Sequence, residues 1–174
     1  MNRRLGRIFT GRGLRAGCAL LILLGGCSGD HPQRIFEKGV GEEQAGRLAE
    51  AQQLFHQVLA RDPNHVEALE HSGNVHLRQN QRNEAFKQYN RVVALVPNRL
   101  QAVIPLARIY LEGHQFPAAE TVLQPWAKLK NPPPEIRLVQ ADLAYQKNDF
   151  TSARKILDSI AREKMPAVSD RARS

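Results

Sequence analysis

The chain is poor in sulfur chemistry. It has two cysteines in 174 residues, Cys18 and Cys27, and both lie near the N-terminus. Beyond Cys27 nothing can form a disulfide, give a thiolate to a metal or act as a thiol nucleophile. A Gly-Lys-Ser/Thr phosphate loop is missing, and so is a Gly-x-Ser-x-Gly elbow. His65, His71 and His76 are close in sequence but lack the four-residue spacing of a helical zinc pair with its glutamate. His76 reads instead as a packed side chain, and the adjacent Glu42 and Glu43 read as solvated on different sides of a helix. These gaps argue against an enzyme, a metal site and a bound cofactor. Long apolar runs are also missing. The longest candidate, Ala16–Leu24, is too short to cross a bilayer, which takes about 20 residues.

The charge balance is less basic than it first looks. Of 25 basic residues against 17 acidic, Arg3, Arg4, Arg7, Arg12 and Arg15 sit in the first 26 positions. Without them the balance is 20 to 17, or +3. Mixed-sign charge of this kind reads as solvated helix surface and gives no reason to expect a nucleic-acid partner.

What the chain does have is a period of 34 residues. Gly39 returns as Gly73, Ala107 and Ala141; Ala51 as Ala85, Ala119 and Ala153; Phe55 as Tyr89, Leu123 and Leu157. Pro63-Asn64 returns as Pro97-Asn98. Four copies in phase, 32–65, 66–99, 100–133 and 134–167, define a repeat protein. Each copy predicts a helix, a polar or Gly-bearing turn and a second helix. The turns are Ala45-Gly46-Arg47, Gln79-Asn80-Gln81, Gly113-His114-Gln115 and Lys147-Asn148-Asp149. The small residue of the first helix should let two backbones approach, with the alanine of the second helix as its mate. Phe55, Tyr89, Leu123 and Leu157 should fill the space beside them. Val58, Val92, Trp126 and Ile160 should meet the following unit. Pro105 is expected in a first helical turn, where its missing N–H is harmless. Pro125 is expected to kink or split its helix. The last helix is expected to close the stack with its own polar face.

At these positions the chain resembles the tetratricopeptide repeat family. The resemblance implies an all-α, right-handed α-solenoid of about four helix-turn-helix units. It also implies a concave wall, built by the first helices, that holds an extended or helical protein segment. By position that wall would carry Phe36 and Val40; Glu70, Asn74, Leu77 and Arg78; Ile104, Arg108, Leu111 and Glu112; Leu138, Asp142 and Tyr145. A groove gripping a C-terminal carboxylate is not expected, because only Asn74 fits that pattern and Glu70 opposes it. Lys38 and Glu42 depart from the family's apolar preference, which an N-terminal unit tolerates.

Residues 1–26 read as a targeting segment: a basic stretch with no acid, then nine apolar residues. Leu24-Gly25-Gly26-Cys27 resembles a bacterial lipobox, which implies acylation of Cys27. The other reading is a plain signal peptide; Arg3-Arg4 lacks the flanks of a twin-arginine signal. Residues 27–31 would be a short tether and 168–174 a flexible tail. Ser28 in place of aspartate after the cysteine implies an outer-membrane lipoprotein facing the periplasm. The expected function is a membrane-tethered scaffold for a protein partner, resembling assembly lipoproteins of pilus and secretion systems. An adaptor for cell-wall hydrolases or for exopolysaccharide export stays open, as does the oligomeric state.

Overall fold

The computed structural model describes residues 31–164. The targeting segment, Cys27, the tether up to Asp30 and the tail therefore lie outside the described residues. Within them the chain is all-α: α1 (Pro32–Gln44), α2 (Leu48–Arg61), α3 (Val66–Arg78), α4 (Arg82–Leu95), α5 (Leu100–Glu112), α6 (Phe116–Ala127), α7 (Pro134–Gln146) and α8 (Phe150–Lys164). Consecutive helices pair as hairpins, and the hairpins stack in chain order into a solenoid.

One backbone device closes every hairpin. Gly46, Asn80, His114 and Asn148, each one repeat apart, take φ of 78°, 60°, 54° and 63°. In the first turn Gly46 N–H donates to the Glu43 carbonyl and Arg47 N–H to that of Glu42. The last turn repeats this with Asn148 to Tyr145 and Asp149 to Ala144. The pair of bonds satisfies carbonyls that a helix end leaves open. Glycine adopts this left-handed conformation freely and asparagine tolerates it. His114 is the strained member, because Gly113 falls one position early and sits at φ −85°.

In the first two hairpins the small residue of the first helix makes room for a ring. A Cβ on Gly39 would stand 2.7 Å from Phe55 Cε1, and one on Gly73 would stand 2.8 Å from Tyr89 Cε1 and Cζ. At the expected crossing the missing methyl thus makes room for an aromatic side chain of the second helix. Ala107 shares its cluster with the slimmer Leu123.

Burial runs from each hairpin into the next. Phe55 packs with Val75, Tyr89 with Ala102 and Leu106, and Leu123 with Ile136, Val139 and Leu143. Each apolar face is therefore sealed by the first helix of the following hairpin, as a stack of incomplete units requires. Leu157 departs from expectation. It is 47% exposed, because among the described residues no helix follows α8 to cover it.

Both interior prolines behave differently from expectation. Pro105 is the sixth residue of α5, past the first turn. Pro105 is half-buried, and Gln101, whose carbonyl receives no N–H from position 105, is exposed, so that carbonyl is open to solvent. Pro125 does not split α6. The helix runs through it and ends at Ala127, so only the last turn is affected, and α6 has 12 residues where α2 and α4 have 14.

Candidate partner groove

The first helices form one row, but the row is not evenly closed. α5 lies close on α7; α3 and α5 stand farther apart, although Leu69 of the first and Ala102 and Leu106 of the second share a buried cluster. Between them opens a groove of about 540 Å³. Leu77, Ile104 and Ile109 give it a half-buried apolar floor. At its rim Arg82 pairs with Glu112 at 2.9 Å, so these two charges neutralise each other. Arg108 lines the groove, is exposed, and makes no ion pair among the described residues.

Asn74 is oriented from behind. The Tyr89 hydroxyl donates to its Oδ1 at 2.7 Å, which leaves the amide N–H groups as the end available to a ligand. Tyr89 is fully buried, and that burial, reinforced by Glu43 and Glu70, pushes its phenol well above the usual tyrosine range. It stays a neutral donor and holds Asn74 in one orientation. The arrangement suits binding. It offers donors, an unneutralised cation and an aliphatic floor.

Of the wall expected from sequence, the structure brings Asn74, Leu77, Ile104 and Arg108 together here, with Glu112 at the rim. The others fall elsewhere. Leu111 is corrected to core: it is 1% exposed and packed with Leu123 and Leu143, since α7 lies over it. Arg78 Nη1 donates to the Glu43 carbonyl at 2.9 Å, tying α3 to the end of α1. Glu70 is buried and accepts two bonds from Arg99, at 2.7 and 2.9 Å, which pins the start of α5 to α3. That carboxylate also holds the Arg99 guanidinium above its ordinary pKa. Phe36 is half-buried in a ring cluster, 5.1 Å from His65, 5.4 Å from His71 and 6.0 Å from Phe55. Val40 packs beside it on the Ala51, Phe55 and Val75 cluster. Leu138, Asp142 and Tyr145 are exposed on α7 and do not line the opening.

One polar reading changes and one holds. Glu43 is buried and not solvated: His71 Nδ1 lies 2.5 Å from its Oε2. His76 is buried with Nδ1 2.7 Å from Gln81 Oε1. Among the described residues no group of three or more His, Cys, Asp or Glu side chains comes together as a metal site. Sequence reasoning missed Arg82, Gln101 and Ile109, which line the opening. The family's wall positions give no sign that α3 and α5 part.

A stack of helical hairpins that repeats every 34 residues and opens a groove between first helices is an α-solenoid scaffold. Two tetratricopeptide repeat models match, over residues 36–99 and 76–143, which together span well over half of the chain. The chain belongs to the tetratricopeptide repeat family, whose members serve as protein-interaction scaffolds. Solved structures agree on the fold. A tetratricopeptide repeat protein of Parabacteroides merdae ATCC 43184 superposes with TM-score 0.73 at 16% identity, covering 80% of this chain and 55% of that one. This chain thus spans just over half the length of that relative. MamA of Desulfovibrio magneticus RS-1 gives 0.66 at 22% identity, over 76% of this chain and 75% of its own. A thermophilic tetratricopeptide repeat protein of Thermus thermophilus gives 0.61 at 20% identity, over 75% and 73%.

Proposed function

We propose that the chain is a membrane-anchored periplasmic scaffold that holds a segment of a protein partner in the α3/α5 groove. The anchor is an acyl chain on Cys27 in the outer membrane, and the role is assembly of an envelope machine such as a pilus or secretion system. The observation that carries the binding half is the groove itself. Its aliphatic floor, pre-oriented Asn74 amide and unpaired Arg108 would take an apolar side chain, a main-chain carbonyl and a carboxylate of one peptide. Support for the anchoring half is the basic stretch, the nine apolar residues and the Leu24-Gly25-Gly26-Cys27 motif. Several buried acyl chains, at about 0.8 kcal/mol per methylene, hold a domain firmly. With Ser28 to Asp30 and His31 between Cys27 and α1, the span reaches about 15 Å, so the first hairpin would lie against the bilayer.

The test is metabolic labelling with a clickable palmitate in a Gram-negative host, together with photo-crosslinking from Ile104. Wild type should be labelled, float with outer membranes and give a discrete crosslinked partner. Cys27→Ser should lose label and membrane association, Ser28→Asp should shift the protein to the inner membrane, and Arg108→Ala should lose the crosslink at unchanged melting temperature. An unlabelled wild type sinks the anchor. A crosslink indifferent to Arg108 sinks the groove.

A further inference from the structure

The last hairpin leaves bare what the third one covers. Leu111, Phe116 and Leu123 share a cluster with Ile136, Val139 and Leu143 of α7, so α7 lies across them. One repeat on, their counterparts are Tyr145, Phe150 and Leu157, which are 62%, 56% and 47% exposed. Tyr145 and Phe150 stand edge to face with ring centroids 5.4 Å apart at the α7–α8 turn. The opposite end of this face is locked by polar groups. Arg137 occupies the position that Ile35, Leu69 and Val103 fill with apolar side chains; it is buried and donates to Glu163 and to Ser159 of α8. A whole further hairpin would have to cover the Glu163 carboxylate, which is still 47% exposed, but a short helix laid over the turn end would not.

Beside the aromatic pair, α8 carries exposed Arg154, Lys155 and Arg162. Asp158 is the one acid of that stretch and lies 3.9 Å from Arg154. Nearby, Lys147 is paired with Glu120, and Asp142 accepts from Gln146. The patch is therefore apolar with a cationic flank.

We propose that this end face is a second docking surface, separate from the groove, and that its occupant is an acidic amphipathic helix of a protein partner. α7 supplies the template. Its Ile136, Val139 and Leu143 fall at i, i+3 and i+7, so about two turns with aliphatic residues at that spacing cover Tyr145, Phe150 and Leu157. Carboxylates on the flank then meet Arg154, Lys155 and Arg162.

Charge on this chain's own segments disfavours them as occupants. In a head-to-tail second copy, α1 would present Arg34, Glu37, Lys38 and Gly41 where α7 presents Ile136, Val139, Gln140 and Leu143. That buries three charges on an aromatic pair. Two α8 faces together would oppose like charges. The stretch after Lys164 holds Arg171 and Arg173 against a single acid, Asp170, which matches the sign of α8 and does not complement it.

The test uses the full-length chain and a fluorescent synthetic helical peptide with Ile, Val and Leu at i, i+3 and i+7 between glutamates. Saturable binding is expected. Tyr145→Ala combined with Phe150→Ala should weaken it about tenfold or more, as truncated aromatic anchors do. Arg154→Glu combined with Arg162→Glu should weaken it equally, while Arg108→Ala should leave it unchanged. All these residues are exposed, so helix content and melting temperature should hold; if the aromatic variant fails to fold, the charge variant carries the test. No saturable binding, or equal affinity for a peptide with lysines in place of glutamates, overturns the proposal. So does dimerisation that Phe150→Ala abolishes, which would make a second copy the occupant. Flotation with phosphatidylglycerol vesicles through the same residues, without peptide binding, would make it a lipid surface.

Discussion

Gly73 and Tyr89 offer a sharp test of how the hairpins pack. A methyl group on Gly73 would stand 2.8 Å from two ring carbons of Tyr89 and 3.2 Å from a third. Carbon pairs settle at about 3.5–4.0 Å, so the ring would have to retreat. It has nowhere to go: Tyr89 is fully buried, and its hydroxyl is held by Asn74 at 2.7 Å. Overpacking of this kind costs about 1–3 kcal/mol. Replacing glycine by alanine inside a helix returns about 1 kcal/mol. Gly73→Ala should therefore destabilise by about 1 kcal/mol net. Tyr89→Leu removes the ring and the bond to Asn74, at about 2–3 kcal/mol. With the ring gone the clash goes too and the helix gain survives. In the Tyr89→Leu background Gly73→Ala should thus stabilise by about 1 kcal/mol, a coupling of about 2 kcal/mol with a change of sign. The chain already contains the compensated pair, in Ala107 with Leu123. The assay is urea unfolding followed by circular dichroism on the four proteins of the cycle. Effects that add within about 0.5 kcal/mol, or a Gly73→Ala that stabilises wild type, would refute the steric argument.

Leu111→Ala should cost about 2–4 kcal/mol by urea unfolding, as a core truncation does, whereas a wall residue would cost little. His114→Gly should raise stability by about 1 kcal/mol in the same assay, because it relieves a left-handed non-glycine residue in a turn whose hydrogen bonds are unchanged. Asp149 accepts the Ser152 N–H at 3.1 Å at the start of α8, and the bonds from Ser152 hold its carboxyl below the usual range. A folded pKa below the unfolded one contributes stability above the unfolded value and loses it as pH falls through the folded one. Melting temperature should therefore drop on the acid side of about pH 4, and Asp149→Asn, which caps without titrating, should lessen that drop.

The helical hairpins were legible because two signals agree over the whole length: a strict period, and turn residues suited to a left-handed position. Gly46, Asn80 and Asn148 announce their turns; His114 does so only through the period, since local propensity points to Gly113. The groove was half legible. Position in the repeat found Asn74, Leu77, Ile104 and Arg108, but it treated every first helix alike. It could not see that α7 closes over Leu111 while α3 and α5 part, because lateral spacing depends on packing across hairpins. Pairings such as Glu70 with Arg99 and Glu43 with His71 join residues almost a repeat apart and leave no mark on local pattern.

The ties between hairpins are short along the chain. Arg78 reaches Glu43 across 35 residues, Arg99 reaches Glu70 across 29 and Lys147 reaches Glu120 across 27. Closing such loops costs little entropy, since the penalty grows only as the logarithm of length. Low contact order of this kind favours folding in microseconds to milliseconds and removes the need for the two ends of the chain to find each other. Each hairpin has its template in the one before it, so a chain delivered from its N-terminus can order in sequence, with α3 settling on α2 before α7 has arrived. A chain cut after α4 should keep the Phe55 and Val75 cluster of its first interface. It should lose protection at Tyr89, whose cover comes from Ala102 and Leu106.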